Sequence, residues 1–391
     1  MEEDTGSAPL PTNGPPPLLQ RVPAWFRILA IVAVLYLFLA SIGLMSSGFK
    51  SMGKCFADHL IRSTSNPFVG LFVGILATSI VQSSSLTTSI VVGMVASGTL
   101  TVPVAIPIVM GANIGTTVTN TIVSLGFIGR REEFRRAFSC GTVHDFFNYL
   151  CVLIFLPLEL VTQRLFGTGL LEGLAGQAGH LFVDARRTSF AKPVKIAVKP
   201  VIGALKGLVE SVAGKGMLAH WLQVALAVAI LFLALWAVTR LMRSLMLSRL
   251  ESVLDRTVGR NAGLGVAVGL ILTGIVQSSS ITTSILVPLA AAGIVTVAQV
   301  FPITAGANIG TTVTALMAAL GGSPAGLHIA LVHLLFNSAG TLLFVPARPM
   351  RNVPIRLANG LATLAARHRW WAVVYVGVLF FAIPALLVFL T

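Results

Sequence analysis

The sequence predicts an all-α polytopic membrane protein with two inverted-topology repeats, each containing a re-entrant helical hairpin and a broken transmembrane helix. Three observations support this fold class: the composition, seven apolar stretches of membrane-spanning length, and a long internal repeat. Hydrophobic residues make up 55% of the 391 residues and charged residues only 10%, whereas globular proteins have roughly 25% charged residues. This composition excludes a soluble enzyme and a DNA-binding protein.

The seven apolar stretches are each close to the ~20 residues that a ~30 Å hydrocarbon core requires. They lie at 25–48, 101–125, 138–159, 220–242, 297–320, 326–346 and 370–390. We expect five parts in the chain: a disordered N-terminal tail at 1–24, a first transmembrane half at 25–160, a basic connector at 161–219, a second transmembrane half at 220–350, and an amphipathic segment with a C-terminal transmembrane helix at 351–391.

An internal repeat relates the two halves. Residues 74–126 and 269–321 align without a gap at a constant offset of 195, with 30 identities in 53 positions. Chance similarity between apolar segments does not produce this, so the chain is a duplicated unit, with repeat 1 at about 70–160 and repeat 2 at about 265–350. Three crossings precede the connector, and this odd number predicts that the second repeat is inverted, as in many secondary transporters.

Two further apolar regions, 68–98 and 264–293, are each interrupted midway by a polar cluster. Their arms of about 13 residues would form helices about 20 Å long, which is too short to span the hydrocarbon core. We expect re-entrant hairpins, because irregular backbone at membrane depth must be buried in protein or face a water-filled cavity. The alternative is a single crossing with a polar kink in each region.

The net charge of +14 does not indicate a nucleic-acid partner, because nearly all of the 27 basic residues lie in loops between apolar stretches. Such loops set orientation and contact anionic headgroups, so we expect membrane lipid and no nucleic acid as partners. A cytoplasmic N-terminus places three arginine clusters inside, at 130–136, 240–260 and 348–369. The basic connector disagrees, although the rule weakens for loops of this length.

The two hairpin tips carry the same polar sequence, Gln-Ser-Ser-Ser, followed by further Thr and Ser. The hydroxyl groups and the free amides at the start of the next helix are donors, and the positive end of that helix favours an anion. The candidate anion-binding residues are Gln82, Ser83, Ser84, Ser85, Gln277, Ser278, Ser279 and Ser280. For any single serine, a bond to a carbonyl of its own helix is an equally good structural explanation.

Each repeat also contains the motif Gly-Ala-Asn-Ile-Gly-Thr-Thr-Val-Thr, which starts at Gly111 and at Gly306. Two glycines on either side of an asparagine predict local unwinding of a crossing, which would present carbonyl, amide and hydroxyl oxygens to Na⁺. Close helix packing through small residues is the alternative. The candidate sodium-binding residues are Thr88, Asn113, Thr116, Thr117, Thr283, Asn308, Thr311, Thr312 and Thr314.

Neither motif contains Lys or Arg, so we expect neutral dipoles and bound Na⁺, the coupling ion, to hold the anion. Asp145 is the one carboxylate in the interior of a predicted crossing, since Glu159 ends its stretch, and Asp145 has no counterpart in the second repeat. It is either functional, as intramembrane ionisable groups are by default, or a structural hydrogen-bonding group. The sequence has no Cys/His metal spacing, phosphate-binding loop or Gly-x-Ser-x-Gly element, so we expect neither an enzyme nor a cofactor.

Four sequence features occur together: QSSS at 82 and 277, GANIGTT at 111 and 306, REEFRRAFSCGTVHDFFNYLCVLIFLPLE ending at Glu159, and PIRLANGLATLAARHRWWAVVY from Pro354. They closely resemble the type II sodium/phosphate cotransporters. The resemblance implies Na⁺-driven uptake of inorganic phosphate across the plasma membrane, with the QSSS regions as the transport core. The expected mechanism is alternating access, and the QSSS residues become candidate phosphate ligands.

Two features depart from that family. The connector has neither cysteine nor a glycosylation sequon, unlike that of animal members, and alanine stands at 112 and 307, where many relatives have serine. The second departure removes one potential hydroxyl ligand from each motif. Two other functions stay open: a sodium-coupled carrier of another divalent anion, sulfate or a dicarboxylate, and an anion channel or scaffold. The sequence does not predict the oligomeric state.

Overall fold

The structure is a computed structural model that describes residues 23–53, 56–58, 61, 66–185, 191–257, 261–320 and 323–390. The predicted tail at 1–24 lies almost entirely outside the described residues. All regular secondary structure within the described residues is helical. Seven of these helices are long and apolar enough to cross a membrane, and they coincide with the seven predicted crossings. The all-α polytopic fold class is therefore confirmed.

The first half contains five helices. They are α1 (Ala24–Ser51), α2 (Pro67–Val81), α3 (Ser84–Ser97), α4 (Val102–Leu125) and α5 (Arg131–Phe166). The two connector helices are α6 (Leu170–Ala185) and α7 (Ala191–Ala213).

The second half repeats this order. It contains α8 (Met217–Thr257), α9 (Ala262–Val276), α10 (Ser279–Ser284), α11 (Leu286–Ala292), α12 (Val297–Leu320) and α13 (Pro324–Phe344). The chain continues with α14 (Arg348–Arg367), α15 (Trp370–Val376), a π-helical turn (Gly377–Ala382) and α16 (Ile383–Leu390). The last three together form the seventh apolar span.

The interrupted regions form two helical hairpins, consistent with the predicted re-entrant hairpins; the second arm is α3 in the first and α10 with α11 in the second. Helices α2 and α3 have 15 and 14 residues, about 22 Å at ~1.5 Å per residue, so neither spans the hydrocarbon core. A hydroxyl bond joins the arms of each hairpin, from Thr78 to Thr87 at 2.9 Å and from Thr273 to Thr282 at 3.0 Å. The same Thr–Thr hydrogen bond, called the threonine latch below, therefore joins the arms of both hairpins at positions 195 residues apart.

The expectation of a broken helix in each repeat is wrong, because α4 and α12 run without interruption through the Gly-Ala-Asn motifs. Their glycines serve close packing instead. A Cβ atom on Gly111 would overlap the carbonyl oxygen of Leu71 in α2, and one on Gly306 would overlap that of Val266 in α9. The first arm of each hairpin thus packs directly on the backbone of the crossing helix.

The two repeats contact each other through their hairpins and crossing helices. Helix α3 of the first repeat packs on α12 and α13 of the second, and α10 of the second repeat packs on α4 of the first. Helix α8 precedes the second repeat and packs along α1. This arrangement brings both hairpin tips and one face of α8 to the same place.

Candidate functional site

Both QSSS tips line one cavity of about 330 Å³. The two tips are 195 residues apart in sequence, and helix α8 supplies the remaining wall. Ser84, Ser85 and Ser279 are buried, whereas Gln82 is exposed. The cavity is lined by Val81, Gln82, Ser83, Ser84, Ser85, Leu86, Phe232, Leu235, Trp236, Thr239, Arg240, Gln277, Ser278, Ser279, Ser280 and Ile281. All eight predicted anion-binding residues are therefore brought together.

The local sequence explains the sharp bend at each tip. Gln82 and Gln277 end α2 and α9 in the left-handed backbone region, with φ of 58° and 60°, which is uncommon for residues other than glycine. The next residue caps the following helix: the Ser83 hydroxyl accepts the Leu86 amide at 3.2 Å, and the Ser278 hydroxyl accepts the Ile281 amide at 3.4 Å. Further amides of the first helical turn lack intrahelical acceptors, so they are donors at the tip.

Each tip glutamine also ties its hairpin to the neighbouring crossing. The Gln82 Oε1 atom accepts the Thr119 hydroxyl at 2.7 Å, and the Gln277 Oε1 atom accepts the Thr314 hydroxyl at 2.6 Å. The Ser85 hydroxyl donates to Thr314 across the two repeats at 3.4 Å. The glutamine oxygens are therefore engaged within the protein, and the hydroxyl groups of the cavity wall come from the tip serines and from Thr239 on α8.

The two motif asparagines bind histidines of the opposite repeat. The His144 Nε2 atom lies 2.6 Å from Asn308 Oδ1, and the His333 Nε2 atom lies 3.3 Å from Asn113 Oδ1. All four side chains are buried. Asn148 accepts the Asn308 amide at 2.7 Å. The predicted sodium ligands Asn113 and Asn308 thus lie at the junction of the repeats, where their amide oxygens accept hydrogen bonds.

The threonines predicted as sodium ligands mostly bond to their own helices. Such a hydroxyl donates its hydrogen to a carbonyl three or four residues earlier, and its oxygen lone pairs stay able to accept or to coordinate. These bonds, between 2.7 and 3.0 Å, are made by Thr88, Thr116, Thr117, Thr283, Thr311 and Thr312. Thr314 instead donates to Gln277. Thr283 also lies 2.8 Å from Asn120 across the repeats.

The sequence motifs do not identify two polar residues: Asn120, which bonds to Thr283 across the repeats, and Arg240, which lines the cavity. Asn120 has no counterpart, because alanine stands at the equivalent position 315. Arg240 lines the cavity from α8, outside both repeats. The cavity wall therefore contains a basic residue in addition to the neutral residues of the two tips. The place of Arg240 in a basic cluster after an apolar stretch gives no signal for a cavity position.

Asp145 is fully buried on α5 and bonds to two hydroxyl groups. Its Oδ2 atom accepts Tyr375 at 2.8 Å and Thr121 at 3.0 Å, while its Oδ1 atom has no hydrogen-bond partner among the described residues. The side-chain hydroxyl of Tyr149 likewise lacks one. No ion pair with Asp145 occurs in the described parts of the chain. A buried carboxylate of this kind requires a proton or a cation to offset its charge.

Seven helices of membrane-spanning length define the class as a polytopic membrane protein, in which the two repeated hairpins and α8 line one cavity. The sequence matches the Na⁺/Pi-cotransporter family over residues 37–172 and 230–386. The chain belongs to this family, and the resemblance seen in the QSSS and GANIGTT motifs is confirmed.

Two relatives show the extent of the similarity. The chain is 34% identical over 444 residues to sodium-dependent phosphate transport protein 2B of Homo sapiens, covering 92% of this chain and 64% of that protein. It is 36% identical over 429 residues to sodium-dependent phosphate transport protein 2A of Rattus norvegicus, covering 92% of this chain and 67% of that protein. This chain therefore spans slightly less than two thirds of the human protein's length. No solved structure shows a significant match.

Proposed function

We propose that this protein is a secondary active transporter that couples inward Na⁺ movement to uptake of inorganic phosphate by alternating access. One observation carries the proposal: in a member of the Na⁺/Pi-cotransporter family, both QSSS tips line a single cavity of about 330 Å³. The relatives named above are sodium-dependent phosphate transport proteins. Such a protein is not an enzyme and uses Na⁺ rather than a cofactor to drive its cycle.

The phosphate ligands in this proposal are the eight tip residues. Ser84 and Ser279 are equivalent in the two repeats, are buried, and line the cavity without any hydrogen bond from their hydroxyls to a described atom. They are therefore available to donate to phosphate oxygens. Backbone amides at the start of α3 add donors, and the helix dipole favours the negative charge.

The sodium ligands in this proposal are the nine Asn and Thr residues of the two motifs and the second hairpin arms. Their position supports coupling, because the Asn113 and Asn308 oxygens are bonded to histidines across the repeat junction. Na⁺ that binds these oxygens must replace or share the histidine hydrogen bonds. Binding of the cation would thereby change the contacts that hold the two repeats together, and this links ion binding to the change of access.

Charge balance supports the pairing of Na⁺ with the anion. Phosphate near neutral pH carries between about one and two negative charges, and the tips supply only neutral donors. Bound Na⁺ offsets this charge and provides the driving force, because each net charge that moves inward across ~100 mV contributes about 2.3 kcal/mol. Asp145 is placed to offset a further cation, since it is buried without a described basic partner.

We further infer a plasma-membrane location with a cytoplasmic N-terminus. Arg130 and Arg131 follow α4, and Arg348 and Arg351 follow α13, at ends that this orientation places in the cytoplasm. Arg240 lies at the same end of the membrane-spanning part of α8. The tip cavity would then open toward the cytoplasm. Lipid headgroups are the expected partners of the exposed basic residues.

Uptake by purified protein reconstituted into liposomes tests the transport proposal. We expect labelled phosphate to accumulate above its external concentration under an inward Na⁺ gradient and not under an equal K⁺ gradient. Arsenate should compete, whereas sulfate and succinate should not. Equal uptake in K⁺ would contradict sodium coupling, competition by sulfate or succinate would indicate another divalent anion, and equilibration without accumulation would indicate a channel.

A further inference from the structure

Arg240 is the only charged residue among the described residues that line the tip cavity. The other lining residues are Gln, Ser, Thr and apolar side chains. No carboxylate forms an ion pair with Arg240 in the described part of the chain. No described carboxylate therefore offsets its positive charge by an ion pair, and it lines the cavity in which both QSSS tips end.

Trp236 holds the Arg240 side chain at the cavity wall. The central guanidinium carbon lies 4.7 Å from the indole centroid, within the ~6 Å range of a cation–π contact. Both residues line the cavity. A spacing of four residues places them on the same helix face. The guanidinium makes no hydrogen bond to a described residue, so its N–H donors stay available to an oxyanion.

We propose that Arg240, positioned by Trp236, is an anion-recruiting residue that phosphate meets as it enters or leaves the tip cavity from the α8 side. This inference rests on the proposed phosphate transport. Lone cations at the edge of a binding site act mainly through long-range attraction, which raises the association rate and is reduced by salt. Phosphate carries up to about two charges, so the attraction exceeds that for a monovalent anion.

The position of Arg240 distinguishes it from the tip residues. It comes from a helix outside the duplicated segments, so the two-fold pattern of the repeats does not extend to it. Among the described residues, the cavity lining contains one cation, and it lies on the α8 wall. The duplicated tips therefore supply the shared neutral donors, while Arg240 makes the cavity's electrostatic field asymmetric.

Equilibrium binding of labelled phosphate to the purified, detergent-solubilised full chain tests this role. At fixed Na⁺, R240Q should weaken binding about three- to tenfold at low ionic strength, and added choline chloride should remove most of the difference from wild type. R240K keeps the charge and should keep both the salt dependence and most of the affinity. W236L should lower the affinity less than R240Q, because the charge stays.

Arg356→Gln is the matched control, because Arg356 is an exposed arginine on α14 that does not line the cavity. It should bind phosphate like wild type. Unchanged affinity and salt dependence in R240Q would overturn the role of Arg240 and leave the proposed function standing. An affinity loss in W236L as large as in R240Q would do the same. Absence of Na⁺-dependent phosphate binding in the wild-type protein would overturn the proposed function and this role with it.

Discussion

Gly310 lies where α12 contacts the first arm of the second hairpin, so Gly310→Ala should disturb both packing and the site. A Cβ atom at this position would lie 2.6 Å from the Leu270 carbonyl oxygen and 2.7 Å from Thr273 Cβ. Real Cβ contacts are essentially never under 3.0 Å, and ordinary contact begins at 3.4 Å, so α9 must move by 0.4 to 0.8 Å. The backbone oxygen cannot rotate away as a flexible side chain could.

The expected loss of stability follows from two opposing effects. Overpacking of this kind destabilises by about 1 to 3 kcal/mol, whereas replacing glycine by alanine within a helix stabilises by up to about 1 kcal/mol. With the full helix gain subtracted, the net expectation is a loss of up to about 2 kcal/mol. Thr273 forms the 3.0 Å threonine latch to Thr282, so displacement of α9 should also move the second tip and weaken phosphate binding.

Thermal unfolding of the purified protein in detergent, followed by phosphate binding at saturating Na⁺, measures both effects. Gly360→Ala is the control, because Gly360 lies within α14 and a Cβ atom there would meet nothing within 4 Å. The control should unfold at or above the wild-type temperature and bind phosphate normally. If Gly310→Ala behaved like the control, direct backbone packing of hairpin and crossing would be refuted.

Three further substitutions address the ligands. Ser84→Ala or Ser279→Ala should each weaken phosphate binding by about 1 to 3 kcal/mol, because a hydrogen-bond donor to a charged acceptor is lost. Wild-type affinity of either variant in isothermal titration would show that the tips do not contact phosphate. Thr311→Val should raise the Na⁺ concentration for half-maximal uptake, with phosphate affinity restored at saturating Na⁺; a defect that Na⁺ does not repair would place Thr311 in the anion site. Asp145→Asn should change the net charge moved per phosphate in voltage-clamped liposomes, because it removes a buried charge near the repeat junction. An unchanged charge-to-phosphate ratio would indicate that the Asp145 carboxylate is purely structural.

The sequence predicts the hairpins well because their signal is local and repeated. Arms too short to span, a polar interruption, and a second copy at an offset of 195 together specify helix, turn and helix. The left-handed conformation at Gln82 and Gln277 is less predictable, because glutamine has no preference for it. In that conformation their side chains accept hydrogen bonds from Thr119 and Thr314, which are distant in sequence and therefore not predictable from the local pattern.

The glycines illustrate where a local pattern is ambiguous. Gly111 and Gly306 are compatible with either unwinding or close approach, because absence of a Cβ atom permits both. Only the position of the neighbouring helix decides between them, and the carbonyls of Leu71 and Val266 occupy the space a side chain would need. The unbroken helices follow from that packing rather than from the residues of the motif alone.

The composition of the cavity required three-dimensional information. Arg240 belongs by sequence to a basic cluster after an apolar stretch, and such clusters usually indicate orientation in the membrane. The packing of α8 beside both tips makes it part of the cavity wall. The histidine bonds to Asn113 and Asn308 are similarly invisible in sequence, because each joins residues from opposite repeats.

The number of phosphate ions bound per chain tests whether the two QSSS tips form one sodium-dependent site. Labelled phosphate would be titrated into the purified protein in Na⁺ and in choline at equal ionic strength. We predict one phosphate per chain, bound only in Na⁺, with an affinity lowered by either Ser84→Ala or Ser279→Ala. Two equivalent phosphates per chain, or equal binding in choline, would contradict a shared site in which Na⁺ offsets the charge of the anion.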